Sequence, residues 1–204
     1  NAGASQRWLK RDPVHLEHVV NSLDEIIREG QRAGEIIRGL QALTRNQASE
    51  LASASLHLIT KDIINLSRLE LERRAVALEL DLAASGDAIM CQSVQIQQVL
   101  LNLVINAIEA MGEITGPRTL KISSYNPSQD RIRIEVADTG TGLSEEVIDK
   151  IFDSFYTTKP EGMGMGLTIS HAIIKRHGGI LSAENRPDGG SLFWFTLPLI
   201  SSSL

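Results

Sequence analysis

From Leu16 to about Thr44, the apolar residues Leu16, Val19, Val20, Leu23, Ile26, Ile27, Ala33, Ile36, Ile37, Leu40 and Leu43 recur largely at steps of three and four. The positions between them are mostly Glu, Asp, Arg, Gln and Gly. That pattern predicts an amphipathic helix, roughly 40 Å long at ~1.5 Å per residue. Pro13 in "RDP" suits the first helical position, and the preceding "NAGASQRWLK" reads as the end of another helix. A long helix with one apolar stripe needs a partner that a short neighbour cannot supply. Residues 1–47 are therefore expected to form a helical hairpin that self-associates as a dimeric four-helix bundle. Gly30, Gly34 and Gly39 each weaken such a helix by about 1 kcal/mol relative to Ala, a cost that close packing against a neighbour, or a need for local flexibility, would explain.

Residues 48–54 are small and polar and read as a linker, and 55–204 read as a second domain. Leu58 to Arg74 is expected to be a helix and "AVALELDL" a strand ending at Leu82, followed by a short strand "AIMC" and a helix from Ser93 to Met111. "RTLKISSY" and "RIRIEVAD" alternate as strands joined by the turn "NPSQD". A third helix runs from Met165 to His177 and is stopped by Gly178 and Gly179. The strands "ILSAEN" and "SLFWFTLP" close the chain around the turn "RPDGG". Antiparallel-looking strands mixed with helices predict an α+β fold, a two-layer sandwich with one sheet covered on one face by helices.

Composition narrows the function classes. A net charge of −5 argues against a nucleic-acid partner held on a basic surface. The single Cys91 excludes an internal disulfide and a cysteine zinc site, and fits a reducing, cytoplasmic compartment. No apolar run approaches the ~18 residues needed to cross a bilayer. Opening at Asn1 without a methionine, the chain is expected to be a piece of a longer protein, whose membrane anchoring the piece does not reveal.

The helix "SVQIQQVLLNLVINAIEAM" carries the first candidate chemistry. Gln95, Gln98, Asn102, Asn106 and Glu109 fall at steps of three, four, four and three, one narrow polar stripe on an otherwise apolar helix. Leaving such groups buried without partners costs about 1–3 kcal/mol each, so the stripe faces water, a polar network or a ligand. On the ligand reading, Asn102, Asn106 and Glu109 line a pocket for a hydrated cation; magnesium keeps several waters, and one amide oxygen from Asn106 would suffice. On the other reading the stripe is a solvent-facing edge.

Two alternating-glycine turns follow, "DTGTGL" (Asp138 to Leu143) and "GMGMGL" (Gly162 to Leu167). Asp138, at a strand end, can accept a hydrogen bond from the exocyclic amine of adenine, where guanine presents an acceptor instead. Gly140 and Gly142 would let the backbone approach a flat base. The competing reading has Asp138 capping a helix that begins near Ser144. Gly162, Gly164 and Gly166 open a helix whose free N–H groups suit phosphate oxygens, although neither a P-loop nor a dinucleotide fingerprint is present. In the gap, Phe152, Phe155 and Tyr156 are expected to pin the segment to the body. Thr157, Thr158 and Lys159 could reach a phosphate, or Lys159 could be a solvated surface charge.

In order, "NLVINAIEAM", "DTGTGL", "FDSF" and "GMGMGL" resemble the N, G1, F and G2 boxes of the GHKL ATPase superfamily, and specifically sensor histidine kinases; "GGSLFWFTLP" resembles the closing strand. The likeness covers about Leu51 to Pro198, and "RAGEIIRGLQALTR" resembles the second helix of the dimerisation and phosphotransfer hairpin. The resemblance implies a Bergerat-type ATP-binding fold that uses ATP and Mg²⁺, a homodimer formed through the hairpin, and a response-regulator receiver domain as partner. It implies that Asp138 binds the adenine amine, Asn106 holds Mg²⁺, Asn102 supports the phosphate side and Lys159 is a lid contact to the γ-phosphate. Gly140, Gly142, Gly162, Gly164 and Gly166 would shape the nucleotide loops, with Glu109 and Leu167 beside them. Ser191 stands where relatives place a Thr near the base.

Two departures accompany the likeness. Glu109 and Ala110 stand where many such kinases carry a basic residue. The family's phosphoacceptor, a His followed by an acidic residue on the first hairpin helix, is matched by none of His15, His18, His57, His171 or His177. The chain is thus expected to bind ATP without phosphorylating itself. Rival readings are an ATP-gated clamp, where a glutamate would activate water at the position of Asn102, a nucleotide-binding dimerisation scaffold, and an anti-sigma-type serine kinase, which would lack the hairpin.

Overall fold

The structure, a computed structural model, describes residues 20–21, 51–112, 114–158 and 164–200. The chain divides into two units between Gln47 and Ala48. Of the hairpin expected in the first, only Val20 and Asn21, both helical, are described. Lys159 and Gly162 also lie outside the described residues.

The second unit begins with strand β1 (Ala52–Ser55), which leads into helix α1 (Leu56–Arg73). Ser55 caps α1 by accepting the Leu58 N–H at 3.1 Å. Leu56, Ile59, Ile63, Ile64 and Leu71 form its buried stripe. Strand β2 (Ala77–Leu82) and strand β3 (Ala88–Cys91) follow, then helix α2 (Ser93–Ala110). Strands β4 (Thr119–Ser128) and β5 (Arg131–Asp138), a short helix α3 (Glu145–Ile148), helix α4 (Gly166–Arg176) and strands β6 (Ile180–Asn185) and β7 (Ser191–Pro198) complete the unit.

Five strands form one sheet in the order β2-β4-β5-β7-β6. Its inner face presents Leu120, Ile122, Ile132, Ile134, Phe193 and Phe195 to the buried stripes of α1, α2 and α4, all within one core. The opposite face carries Lys121, Arg133, Glu135 and Trp194, with the Arg133 guanidinium 3.9 Å from the centre of the Trp194 ring. This is the two-layer sandwich expected of the pattern.

Three details differ from expectation. Ala52–Ser55, all but its last residue inside the stretch read as linker, pairs antiparallel with β3 as a separate two-stranded sheet; small residues suffice there because only Ala54 packs against the core. β2 and β4 pair in parallel, not antiparallel. A parallel pair needs a crossover of about a dozen or more residues, which α2 supplies. β4 continues through the expected turn to Ser128, with a register shift after Tyr125. Asn126 there accepts the Ser85 N–H at 2.8 Å and donates to the carbonyls of Gly86 and Arg131 at 3.0 and 3.1 Å.

Helix ends α1 and α4 are closed by the same device. Gly178 has φ +73°, and Gly179 N–H donates to Ile174 O at 2.9 Å while Gly178 N–H donates to Lys175 O at 3.0 Å. In α1 the left-handed position falls on Ala75, at φ +52°, with Val76 N–H on Leu71 O at 2.9 Å and Ala75 N–H on Glu72 O at 3.1 Å. Ala75 therefore belongs to the cap, not to the strand that its sequence pattern suggested.

Candidate functional site

Asp138 ends β5 with a fully buried side chain. Its Oδ1 accepts the N–H groups of Gly140 at 2.7 Å and Ser191 at 3.3 Å, and its Oδ2 accepts the Ser191 hydroxyl at 2.5 Å. These donors fix the carboxylate plane and leave acceptor capacity on Oδ2. The helix near Ser144 takes no side-chain cap, so the capping role weighed for Asp138 is not the one it plays.

Gly140 is required by packing. A Cβ there would lie 2.7 Å from the Ala110 carbonyl oxygen and 2.8 Å from Asp138 Oδ1, so a side chain would push the turn off the end of α2. Gly142 adopts φ +74°. The next residue, Leu143, is held by a side chain from elsewhere: Asn185 Oδ1 accepts its N–H at 2.7 Å and Asn185 Nδ2 donates to its carbonyl at 2.6 Å. Arg186 Nη1 donates to the Asp138 carbonyl at 2.8 Å.

The second glycine turn meets the same helix. A Cβ on Gly166 would stand 2.5 Å from Asn102 Oδ1. Asn102 Nδ2 also donates to Ser170 Oγ at 3.1 Å, and Ser170 donates to the Gly166 carbonyl at 2.9 Å. The first N–H groups of α4 therefore open beside the polar stripe of α2, where a helix N-terminus favours anions. Gly164, at φ +65°, packs against the backbone of Phe155 and Tyr156, which leaves no room for a Cβ. Leu167 is half-buried against the core.

Both turns thus seat on α2, one at Asn102 and one at Ala110, about 12 Å apart along the helix. Half-buried Asn106 lies midway between them, and Glu109 on the same stripe is exposed. The described residues contain no cluster of three or more His, Cys, Asp or Glu that could hold a metal ion alone. The protein's offer to a cation here is oxygen from an amide and a carboxylate, a set suited to magnesium that is otherwise bound by phosphate and water.

The segment between the turns is anchored near its middle. The ring of Phe152 stacks on His171 at 5.3 Å, and Thr168 Oγ1 donates to the Asp153 carbonyl at 3.0 Å. Tyr156 is half-buried, as expected. Phe155 is not a pin: it is 75% exposed and adopts φ +67°. The tight approach of Gly164 to its backbone explains that conformation better than any contact of the ring.

Asn185, Arg186 and Ser170 were not singled out from the sequence. For Asn185 the available signal was an amide flanking a turn rich in Pro, Asp and Gly, a place where such side chains bond backbone. Two surface grooves of about 230 and 220 Å³ lie elsewhere, between α1 and β2 and between α4 and β6, and contain none of the α2 stripe residues. Among the described residues, no helix is long and apolar enough to cross a membrane.

Residues 91–201 match the family described as histidine kinase-, DNA gyrase B-, and HSP90-like ATPase. The chain is 37% identical over 201 residues to the sensor histidine kinase TmoS of Ectopseudomonas mendocina, an alignment covering 98% of this chain and 21% of TmoS. It is 39% identical over 180 residues to the sensor protein FixL of Bradyrhizobium diazoefficiens, covering 88% of this chain and 35% of FixL. The nucleotide-free catalytic domain of the histidine kinase ThkA is similar with a TM-score of 0.66 at 33% identity, over 73% of this chain and 95% of that one. ThkA in complex with the response regulator TrrA gives a TM-score of 0.72 at 26% identity, over 100% of this chain and 57% of that one.

Proposed function

Because the chain belongs to the histidine kinase-, DNA gyrase B-, and HSP90-like ATPase family and carries its ATP-binding domain, we propose that it is the catalytic portion of a sensor histidine kinase. The reaction is in-line transfer of the ATP γ-phosphoryl to a histidine, for relay to an aspartate on a response-regulator receiver domain, in the cytoplasm. The observation that carries this reading is the seating of both glycine turns on one helix, on either side of Asn106.

Asp138 accepts the adenine amine through Oδ2, with Ser191 orienting the carboxylate and Gly140 and Gly142 forming the wall against the base. Asn106, with Glu109 beside it, holds Mg²⁺; the ion supplies the positive charge that offsets the phosphates. Asn102 supports the phosphate side, together with the turn of Gly162, Gly164, Gly166 and Leu167 at the start of α4, and Lys159 contacts the γ-phosphate. Catalysis rests on positioning and charge stabilisation rather than on a protein nucleophile.

The described histidines are engaged in structure. His57 Nε2 lies 2.8 Å from Ser124 Oγ, His171 stacks on Phe152, and His177 bonds Ile173 O at 2.8 Å and Gln92 N at 3.1 Å. None of the five histidines, His15 and His18 included, is followed directly by the acidic residue that the acceptor pattern requires. The hairpin over 1–47 is the dimerisation element, the linker follows it, and the ATP-binding domain occupies the remainder.

Calorimetric titration with MgATP tests the site. Asn106→Ala is expected to abolish Mg²⁺-dependent ATP binding with the circular dichroism spectrum intact, and an unchanged MgATP affinity refutes the metal assignment. An ATP-gated clamp would instead show sustained hydrolysis with no acceptor histidine, which Asn102 is not equipped to drive.

A further inference from the structure

The first glycine turn is held from two sides. Thr139 Oγ1 accepts the Thr119 N–H at 3.0 Å and donates to the Pro117 carbonyl at 2.9 Å, while the residues on either side of Thr139 are held by the β6–β7 hairpin. Asn185 clasps both backbone groups of Leu143, at 2.7 and 2.6 Å, as a strand partner would. Arg186 Nη1 holds the Asp138 carbonyl at 2.8 Å, while Ser191 at the start of β7 holds the carboxylate of the same residue. The hairpin turn is itself braced, with Arg186 N–H on Gly190 O and Gly189 N–H on Arg186 O, each at 3.1 Å. Gly190, at φ +82°, lies so close to the Asp138 carbonyl that no Cβ fits between them. Gly142 in turn packs with its Cβ position 3.0 Å from Asn185 Oδ1.

We propose that Asn185 and Arg186 are positioning residues for purine selectivity, acting through Asp138 and Leu143 without touching the nucleotide. The inference rests on the reading of Asp138 as the adenine-accepting carboxylate. Adenine and guanine differ at the six position by a donor in one and an acceptor in the other, so discrimination depends on where the carboxylate oxygen stands. A carboxylate pinned at its own carbonyl and carboxylate, in a loop pinned at Leu143, rejects guanine by holding an acceptor against an acceptor. Without those clasps the loop backbone that carries the carboxylate is free to shift, and the penalty falls. Substitutions in the β6–β7 turn thus tune nucleotide choice from outside the pocket.

The test measures MgATP and MgGTP dissociation constants by calorimetry on the full chain, for the parent, Asn185→Ala, Arg186→Ala, Arg186→Lys and Asp138→Asn. The expected result is a fall of about tenfold in the ATP-over-GTP affinity ratio for each alanine variant, recovery of most of it in Arg186→Lys, and loss of the preference in Asp138→Asn. An unchanged ratio in both alanine variants, while Asp138→Asn loses its preference, overturns the proposal and leaves the adenine site standing. Equal weakening of both nucleotides marks a merely structural role and also overturns it. A preserved preference in Asp138→Asn overturns the adenine assignment and this proposal with it.

Discussion

Ser191→Ala isolates the hydroxyl that Asp138 depends on. Ser191 is 3% exposed and Asp138 is fully buried, so no water replaces the lost donor readily. The backbone N–H groups of Gly140 and Ser191 survive the substitution and keep Oδ1 satisfied; Oδ2 loses its 2.5 Å partner. A hydrogen bond to a charged acceptor contributes about 1.5–3 kcal/mol, and removal of one oxygen creates almost no cavity, so a loss of about 2 kcal/mol is expected. In a domain of this size that corresponds to a fall in Tm of about 4–8 °C. Urea unfolding followed by the fluorescence of Trp194, which sits on β7 with Ser191, measures it as a lower midpoint with an unchanged slope. Ser191→Thr keeps the hydroxyl and is expected to recover most of the loss. A destabilisation below about 0.5 kcal/mol, within the ordinary scatter of neutral substitutions, would refute the idea that this hydroxyl satisfies the buried carboxylate.

Ala75→Gly is expected to stabilise the domain by about 0.5–1 kcal/mol, because Ala at φ +52° pays the left-handed cost that Gly avoids, less the greater freedom of Gly in the unfolded chain; a lower melting temperature would contradict it. For Asp87, burial works to raise the carboxyl pKa, but the Ser55 hydroxyl, the His57 backbone N–H at 3.2 Å and the His57 ring 3.6 Å away together pull it below the ordinary value. The stability this confers is present above about pH 4 and is lost as pH falls through the lowered value. Urea midpoints for the parent and Asp87→Asn should therefore differ at pH 7 and converge towards pH 2–3, and a constant difference would exclude the linkage. Deletion of residues 1–47 is expected to give a monomer by light scattering that still binds MgATP; a persistent dimer would locate the interface in the remaining domain.

Local pattern carried a great deal of this molecule. The period of α2 set its buried stripe and, by exclusion, the line on which Asn102, Asn106 and Glu109 fall. Alternation from Arg131 to Val136 marked β5, because a half-buried strand of a sheet with one covered face must alternate, and it breaks only where Ala137 and Asp138 are both buried at the strand's end. Gly178 announced the end of α4, since glycine fits the left-handed cap without strain. The boxes around both glycine turns were legible for a related reason: Gly140, Gly164 and Gly166 each stand where a Cβ would strike a neighbour, so the residue type is the record of the contact.

What tertiary structure alone decided lies where partners are distant in sequence. The pairing of β1 with β3, the parallel register of β2 on β4, and the left-handed Ala75 leave no periodic trace, because each depends on what packs beside it and not on its own side-chain rhythm. The clasp of Asn185 on Leu143 spans 42 positions, and that of Arg186 on Asp138 spans 48. An amide or a guanidinium at a turn can bond to any backbone within reach, and only the closing of the β5–β7–β6 ladder brings that particular backbone to it.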